Sequence, residues 1–203
     1  MAKLLFKYAT MNSGKTLDLL RTAHNYEENN GKVLILKPKL DTKGEEKISS
    51  RLGLERKVDF LVFYDDNMFD LLKGKLENVD VILVDEAQFF SKRQIEDLSI
   101  ICKVMNIDVI CYGLRVNFRG NLFEGSKKLF EVADKIDELV TLCECRKVAR
   151  FVGRKVNGEY KTNGPEIIID GSDKEIEYVP LCKECYLKKV SKIDFKGIKE
   201  NLK

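Results

Sequence analysis

The sequence predicts an α/β fold: a parallel sheet flanked by helices, followed by a small β appendage. Three observations carry the prediction. Short apolar runs alternate with helical patterns from residue 1 to 142, a glycine–lysine turn separates the first run from the first helical pattern, and two close cysteine pairs occur only after residue 142. Apolar runs without polar interruption belong to strands covered on both faces, the environment of a parallel sheet between helices. Their alternation with helices is the pattern of repeated βα units.

In chain order the strands are LLFKY, KVLILK, FLVFY, VDVILVD, IDVICYG and DELVTL. Helical patterns lie between them, around Lys15–Asn29, Asn67–Leu76, Ser91–Met105 and Leu122–Ala133. Leu17, Leu20 and Ala23 recur at the spacing of one buried helix face. The stretch from Pro38 to Lys57 is polar, carries Gly44 and Gly53 and has no clean period, so it is expected to be a functional loop. After residue 142 come the short strand-like pieces FVGRKV, PEIIID and IEYVPL, with turn residues Asn157-Gly158 and Asn163-Gly164-Pro165. A long loop is expected at 162–180. The expected organisation is therefore a nucleotide-binding α/β domain at 1–142, a cysteine-bearing appendage at 143–190 and a basic, solvated tail at 191–203.

Composition excludes several classes. With 203 residues, 44% apolar and 34% charged, the chain reads as globular rather than disordered. Lys+Arg 36 against Asp+Glu 33 leaves +3, too slight a balance to imply a nucleic-acid or membrane partner. The opening MAKLLFKYAT is broken by Lys7 and leads to no cleavage-like segment, and no apolar run approaches the ~18 residues of a membrane span. A cytoplasmic location is expected. The single histidine, His24, sits in a helical pattern as a surface residue, which excludes a Ser-His-Asp triad.

Six cysteines are present. Cys102 and Cys111 stand singly in apolar runs and are expected in the core. Cys143 and Cys145, with Cys182 and Cys185, form a CxC and a CxxC pair. Four thiolates satisfy a tetrahedral structural zinc site, which would staple a region too small for a large core. The alternatives are a reduced unmetallated set or a thiol redox pair.

Ala9, Thr10, Met11, Asn12, Ser13, Gly14, Lys15 and Thr16 match GxxxxGK[ST] with alanine in first position, between a strand and a helix. In this P-loop turn, backbone N–H groups curl around phosphate, Lys15 meets the β and γ oxygens, and Thr16 offers its hydroxyl to magnesium. A nucleotide such as ATP is the expected ligand. VDEAQFF follows a second apolar run. Asp85 is the usual magnesium partner of such a turn, and Gln88 is placed with it at the ATP site. Adjacent strand side chains point oppositely, so Glu86 is expected to face the phosphoryl acceptor and take its proton. Three readings follow from these residues: a helicase-like motor, a zinc-ribbon binding module switched by ATP, and a kinase for a small planar acceptor stacked on Phe89, Phe118 and Phe123.

Together, MNSGKT, VDEAQFF, CYGLRVNFRGNLFEGS and the late cysteine pairs resemble the type II thymidine kinases, the zinc-containing cytosolic class, from about Lys3 to Cys185. The resemblance implies transfer of the ATP γ-phosphoryl group to the 5′-hydroxyl of thymidine, with Glu86 as general base. It adds Asp41 near the phosphates, with magnesium. It maps the thymidine pocket onto Met11, Phe89, Leu114, Phe118, Phe123, Val152, Ile167, Ile168, Ile169, Asp170 and Tyr178, closed by a lasso loop that Tyr178 pins. It further implies a homotetramer inhibited by dTTP. The chain departs from the family's pattern at Ala9, at Lys43 in place of arginine, at the CxC pair and at Val152 in place of threonine. Arg115 and Arg119 flank the pocket segment, either adding charge near the transferring group or making surface ion pairs.

Overall fold

The computed structural model describes residues 1–40, 46–165 and 175–202. Asp41, Lys43, Ile167, Ile168, Ile169 and Asp170 lie outside the described residues. The chain forms two compact units. The first holds Met1–Ala9, Gly14–Arg115 and Leu122–Leu139; the second holds Thr10–Ser13, Val116–Asn121 and the chain from Val140 on.

In the first unit the elements are β1 (Leu4–Ala9), α1 (Lys15–Glu28), β2 (Val33–Pro38), β3 (Lys47–Ser49), β4 (Glu55–Lys57), β5 (Phe60–Val62), α2 (Met68–Leu72), β6 (Val81–Val84), a 3-10 turn (Ala87–Phe89), α3 (Lys92–Met105), β7 (Asp108–Leu114), α4 (Glu124–Val132) and β8 (Lys135–Glu138). Six strands form one sheet in the order β5-β2-β6-β7-β1-β8. Every neighbouring pair in it is parallel. The apolar runs behave as expected of strands covered on both sides. On β6, Ile82 and Val84 join the layer of α3 and α4 with Leu98, Ile101, Cys102 and Leu129. Val81 and Leu83 join the opposite layer with Leu19, Ala23 and Tyr112. Cys102 and Cys111 are fully buried.

Three expectations change here. The buried stripe of α1 is the four-residue ladder Lys15, Leu19 and Ala23, which turns Leu17 and Leu20 to its flanks, where both are half-buried. Within Pro38–Lys57, β3 and β4 pair as an antiparallel hairpin, anchored by the buried Ile48. DELVTL is two pieces: Glu138 ends β8 in the parallel sheet, while Thr141 and Leu142 pair elsewhere.

The second unit contains β9 (Thr141–Leu142), β10 (Val148–Ala149), β11 (Phe151–Val156), β12 (Glu159–Lys161), β13 (Ile176–Leu181), α5 (Lys183–Lys189) and α6 (Phe195–Asn201). Asn157 (φ 52°) and Gly158 (φ 79°) both take the left-handed conformation that a two-residue hairpin turn requires between β11 and β12. β13 pairs antiparallel with β11 on its other side. The last part of the loop expected at 162–180 is therefore strand, since β13 covers Ile176–Leu181 and places Tyr178 opposite Arg154. A small core of Cys143, Ala149, Leu181, Cys182, Tyr186 and Val190 closes this unit. In the tail, α6 is capped by Asp194 and buries no residue. Among the described residues no helix is long and apolar enough to cross a membrane.

Candidate active site

Within the first unit, α1 starts at an uncapped N-terminus. Gly14 (φ 79°) supplies no side-chain cap, and its carbonyl accepts from Asp18 N at 2.9 Å. Open N–H groups and the positive end of a 14-residue helix favour an anion there. Lys15 is buried and Thr16 half-buried. Ala9 remains in the strand ladder opposite Leu114, so its side chain costs no backbone strain. The turn that follows takes positive φ at Asn12 (62°), a residue type that tolerates it.

Asp85 is 4% exposed, and its Oδ1 is buried without a hydrogen-bond partner. Burial, then the neighbouring Glu86 charge, pushes its carboxyl up to about 7, against the pull of Lys15 and Lys37. A buried carboxylate oxygen with no partner beside the lysine of a phosphate turn suits a hard divalent cation, so Asp85 and Thr16 fit magnesium.

β6 ends at Val84, so Asp85 and Glu86 lie beyond the strand. Strand alternation therefore sets the direction of neither side chain. Glu86, with φ 47° and ψ 41°, turns the chain into the Ala87–Phe89 turn. A left-handed, non-glycine residue at such a place is costly and held by its surroundings. Two close approaches supply them. A Cβ on Gly125 of α4 would come within 2.7 Å of the Phe90 carbonyl and nearer still to that of Ala87, and one on Gly113 would meet Gln88 Oε1 at 2.9 Å. Gln88 is buried, donating from Nε2 to Glu86 Oε2 at 2.6 Å while its Oε1 accepts from Leu114 N at 2.9 Å. Ser126 Oγ donates to Leu114 O at 2.5 Å. Phe89 and Phe123 meet edge to face, centroids 5.5 Å apart.

In the second unit, Thr10 is buried, Met11 half-buried, and Ser13 Oγ is buried with no hydrogen-bond partner. Val152 is buried on β11 opposite Pro180. Phe118 is 2% exposed, and the Arg154 guanidinium lies 3.7 Å from its ring centroid, covering one face. Arg154 belongs to no motif in the sequence, where FVGRKV gives only a short strand. It is in fact buried, donating to the carbonyls of Asn163 and Pro165. Arg119 donates to the Gly164 carbonyl and stacks near Phe118 at 5.1 Å, so it serves this unit's own loop. Arg115 is half-buried at the end of the β7 segment. His24 is exposed on α1 beside Glu28, as expected of a surface residue.

The four sulfurs of Cys143, Cys145, Cys182 and Cys185 all lie within 4.8 Å of one another. The CxC spacing is accommodated by a tight hairpin between β9 and β10, in which Arg146 takes φ 66° and donates to the Cys143 carbonyl at 2.8 Å. Cys182 caps α5, its Sγ accepting from Cys185 N at 3.4 Å. Partial burial and the neighbouring sulfurs push the Cys185 thiol up to about 12. Such crowding of thiols is relieved by a soft divalent cation, so the set fits a structural zinc.

A sequence model of the thymidine kinase family matches residues 2–186. A thymidine kinase of Streptococcus pyogenes is 42% identical over 188 residues, covering 92% of this chain and 97% of that protein. One from Streptococcus agalactiae is 40% identical over the same shares. Over that length and at that identity, with the phosphate turn, the DEAQ segment and the four clustered cysteines in place, the chain belongs to the thymidine kinase family.

Proposed function

We propose that the chain transfers the γ-phosphoryl group of ATP to the 5′-hydroxyl of thymidine, giving dTMP and ADP. The observation that carries the reading is the pair of adjacent carboxylates after β6. One is buried within electrostatic reach of Lys15 of the phosphate turn; the other sits on a left-handed backbone and is held by the Gln88 amide. Asp85 would then serve as the metal- and phosphate-facing group and Glu86 as the proton acceptor, the division of labour phosphoryl transfer needs. Glu86 takes the 5′-hydroxyl proton as the oxygen bonds to the γ-phosphorus; the bond from that phosphorus to the β–γ bridging oxygen breaks, and ADP leaves with the electron pair.

Residues Ala9–Thr16 cradle the phosphates, with Lys15 a point charge on the β and γ oxygens. Thr16 and Asp85 hold magnesium, with Asp41 assigned near the phosphates by resemblance alone. Magnesium bound there would neutralise charge on the transferring group. Met11, Phe89, Leu114, Phe118, Phe123, Val152 and Tyr178 are proposed for thymidine. Phe118 is the most restricted of these, since the Arg154 and Arg119 guanidinium groups both lie over its ring. The zinc-bearing segment plays a structural part. A cytoplasmic homotetramer inhibited by dTTP, with no nucleic-acid or membrane partner, completes the reading.

The test is ATP- and magnesium-dependent phosphorylation across thymidine, deoxyuridine, deoxycytidine and deoxyadenosine, with a dTTP titration. Turnover of thymidine over deoxycytidine, suppressed by dTTP, is expected. ATP hydrolysis that appears only on adding nucleic acid would overturn the reading in favour of a motor.

A further inference from the structure

Gln88 is grouped with the ATP site by its place in the motif, yet both ends of its side chain are engaged elsewhere. Its carboxamide is 2% exposed and spans from the backbone of β7 to the carboxylate of Glu86. The orientation of the amide is fixed by chemistry. Leu114 N is a donor only, so the atom facing it at 2.9 Å must be the carbonyl oxygen. The NH2 end then has to face Glu86 Oε2, at 2.6 Å. Gly113 leaves room for this arrangement, since any side chain there would strike Gln88 Oε1 and press on its backbone nitrogen. The anchor at Leu114 is itself tied down, its carbonyl accepting from Ser126 Oγ.

Resting on the kinase reading above, we propose that Gln88 is the positioning residue of the general base rather than a nucleotide ligand. It commits Oε2 of Glu86 to a fixed hydrogen bond and leaves Oε1 as the atom that takes the hydroxyl proton. It also ties that carboxylate to the end of β7, so that the base and the Leu114 backbone hold one registration. Such a tether matters because misplacing a reacting group by about 1 Å costs on the order of 10²-fold in rate.

The test is steady-state kinetics of Gln88→Leu and Gln88→Glu with ATP and thymidine, beside equilibrium ATP binding. Gln88→Leu removes both hydrogen bonds. Gln88→Glu keeps the acceptor for Leu114 N and replaces the donor with an oxygen that repels Glu86; it serves if the leucine variant fails to fold. A positioning role predicts kcat lower by about 10- to 100-fold, with KM for both substrates and Kd for ATP within about twofold of the parent. It further predicts that either change adds little to the loss already caused by Glu86→Gln, because the two residues act as one unit. An ATP Kd raised about tenfold with kcat retained would overturn the proposal and make Gln88 a nucleotide ligand. Full multiplication of the Glu86 and Gln88 losses would equally overturn it. Failure of the parent protein to turn over thymidine would instead overturn the kinase reading on which it rests.

Discussion

Glu86→Gln preserves the length of the side chain and a hydrogen-bonding group facing Gln88, but it cannot take up a proton. Turnover is expected to fall by about 10²–10⁴-fold with thymidine affinity kept, as read by single-turnover kinetics and equilibrium binding. At Asp85 the consequence is for stability. Its folded carboxyl titrates near 7, above the ~3.9 of an unfolded aspartate, so the native state holds the proton more tightly. Between roughly pH 4 and 7 unfolding releases that proton, and in magnesium-free buffer this group's contribution falls as the pH rises. Asp85→Asn should flatten this part of the urea-midpoint profile; an unchanged slope would contradict the burial effect. The positions of Lys15 at the start of α1 and of Asp85 and Glu86 just past β6 were legible in the sequence, because the GK[ST] turn and the apolar run before DE mark those element ends. Glu86's positive φ and the burial of Arg154 were not, because both are imposed by neighbours distant along the chain.

The elements of the parallel sheet were readable for a simple reason: a strand buried on both faces must be apolar at every position, as VILV at 81–84 is. Lys47–Ser49 and Glu55–Lys57 escaped because only Ile48 among them is buried, leaving a polar stretch with no period to read. Helix ends were clearer. Ser91 Oγ accepts from Gln94 N at 3.3 Å, and Gln94 Oε1 accepts from Ser91 N at 3.0 Å, closing a capping box on α3. Ser91→Ala is expected to cost about 1 kcal/mol in denaturant unfolding. In α4 the usual helix rule should invert. Gly→Ala in a helix ordinarily stabilises by roughly 0.5–1 kcal/mol. At Gly125 the added methyl would drive into the carbonyls of Ala87 and Phe90, and overpacking typically costs about 1–3 kcal/mol. A net loss of stability, with reduced kcat from a displaced Ala87–Phe89 turn, is therefore expected of Gly125→Ala; a rise in melting temperature would show that the two segments separate freely.

For the whole molecule, the two cysteine pairs pointed to thiols brought together in the later chain, while composition could not show that Thr10–Ser13 and Val116–Asn121 group with the chain from Val140 on. Cys182→Ser removes one sulfur of the cluster and the cap of α5 together, so zinc content and melting temperature should fall in parallel. Metal analysis beside calorimetry checks this, and an unchanged melting temperature would refute the staple. The distribution of sulfur also makes the protein a self-labelled reporter of its own opening. The four clustered cysteines belong to the second unit, whereas Cys102 and Cys111 are sealed in the core of the first. Alkylation followed by mass measurement should then add nothing quickly to the metal-loaded protein, four adducts once a chelator has stripped the cluster, and six only when the sheet itself comes apart. One spectrum thus separates local release of metal from global unfolding, without any introduced probe.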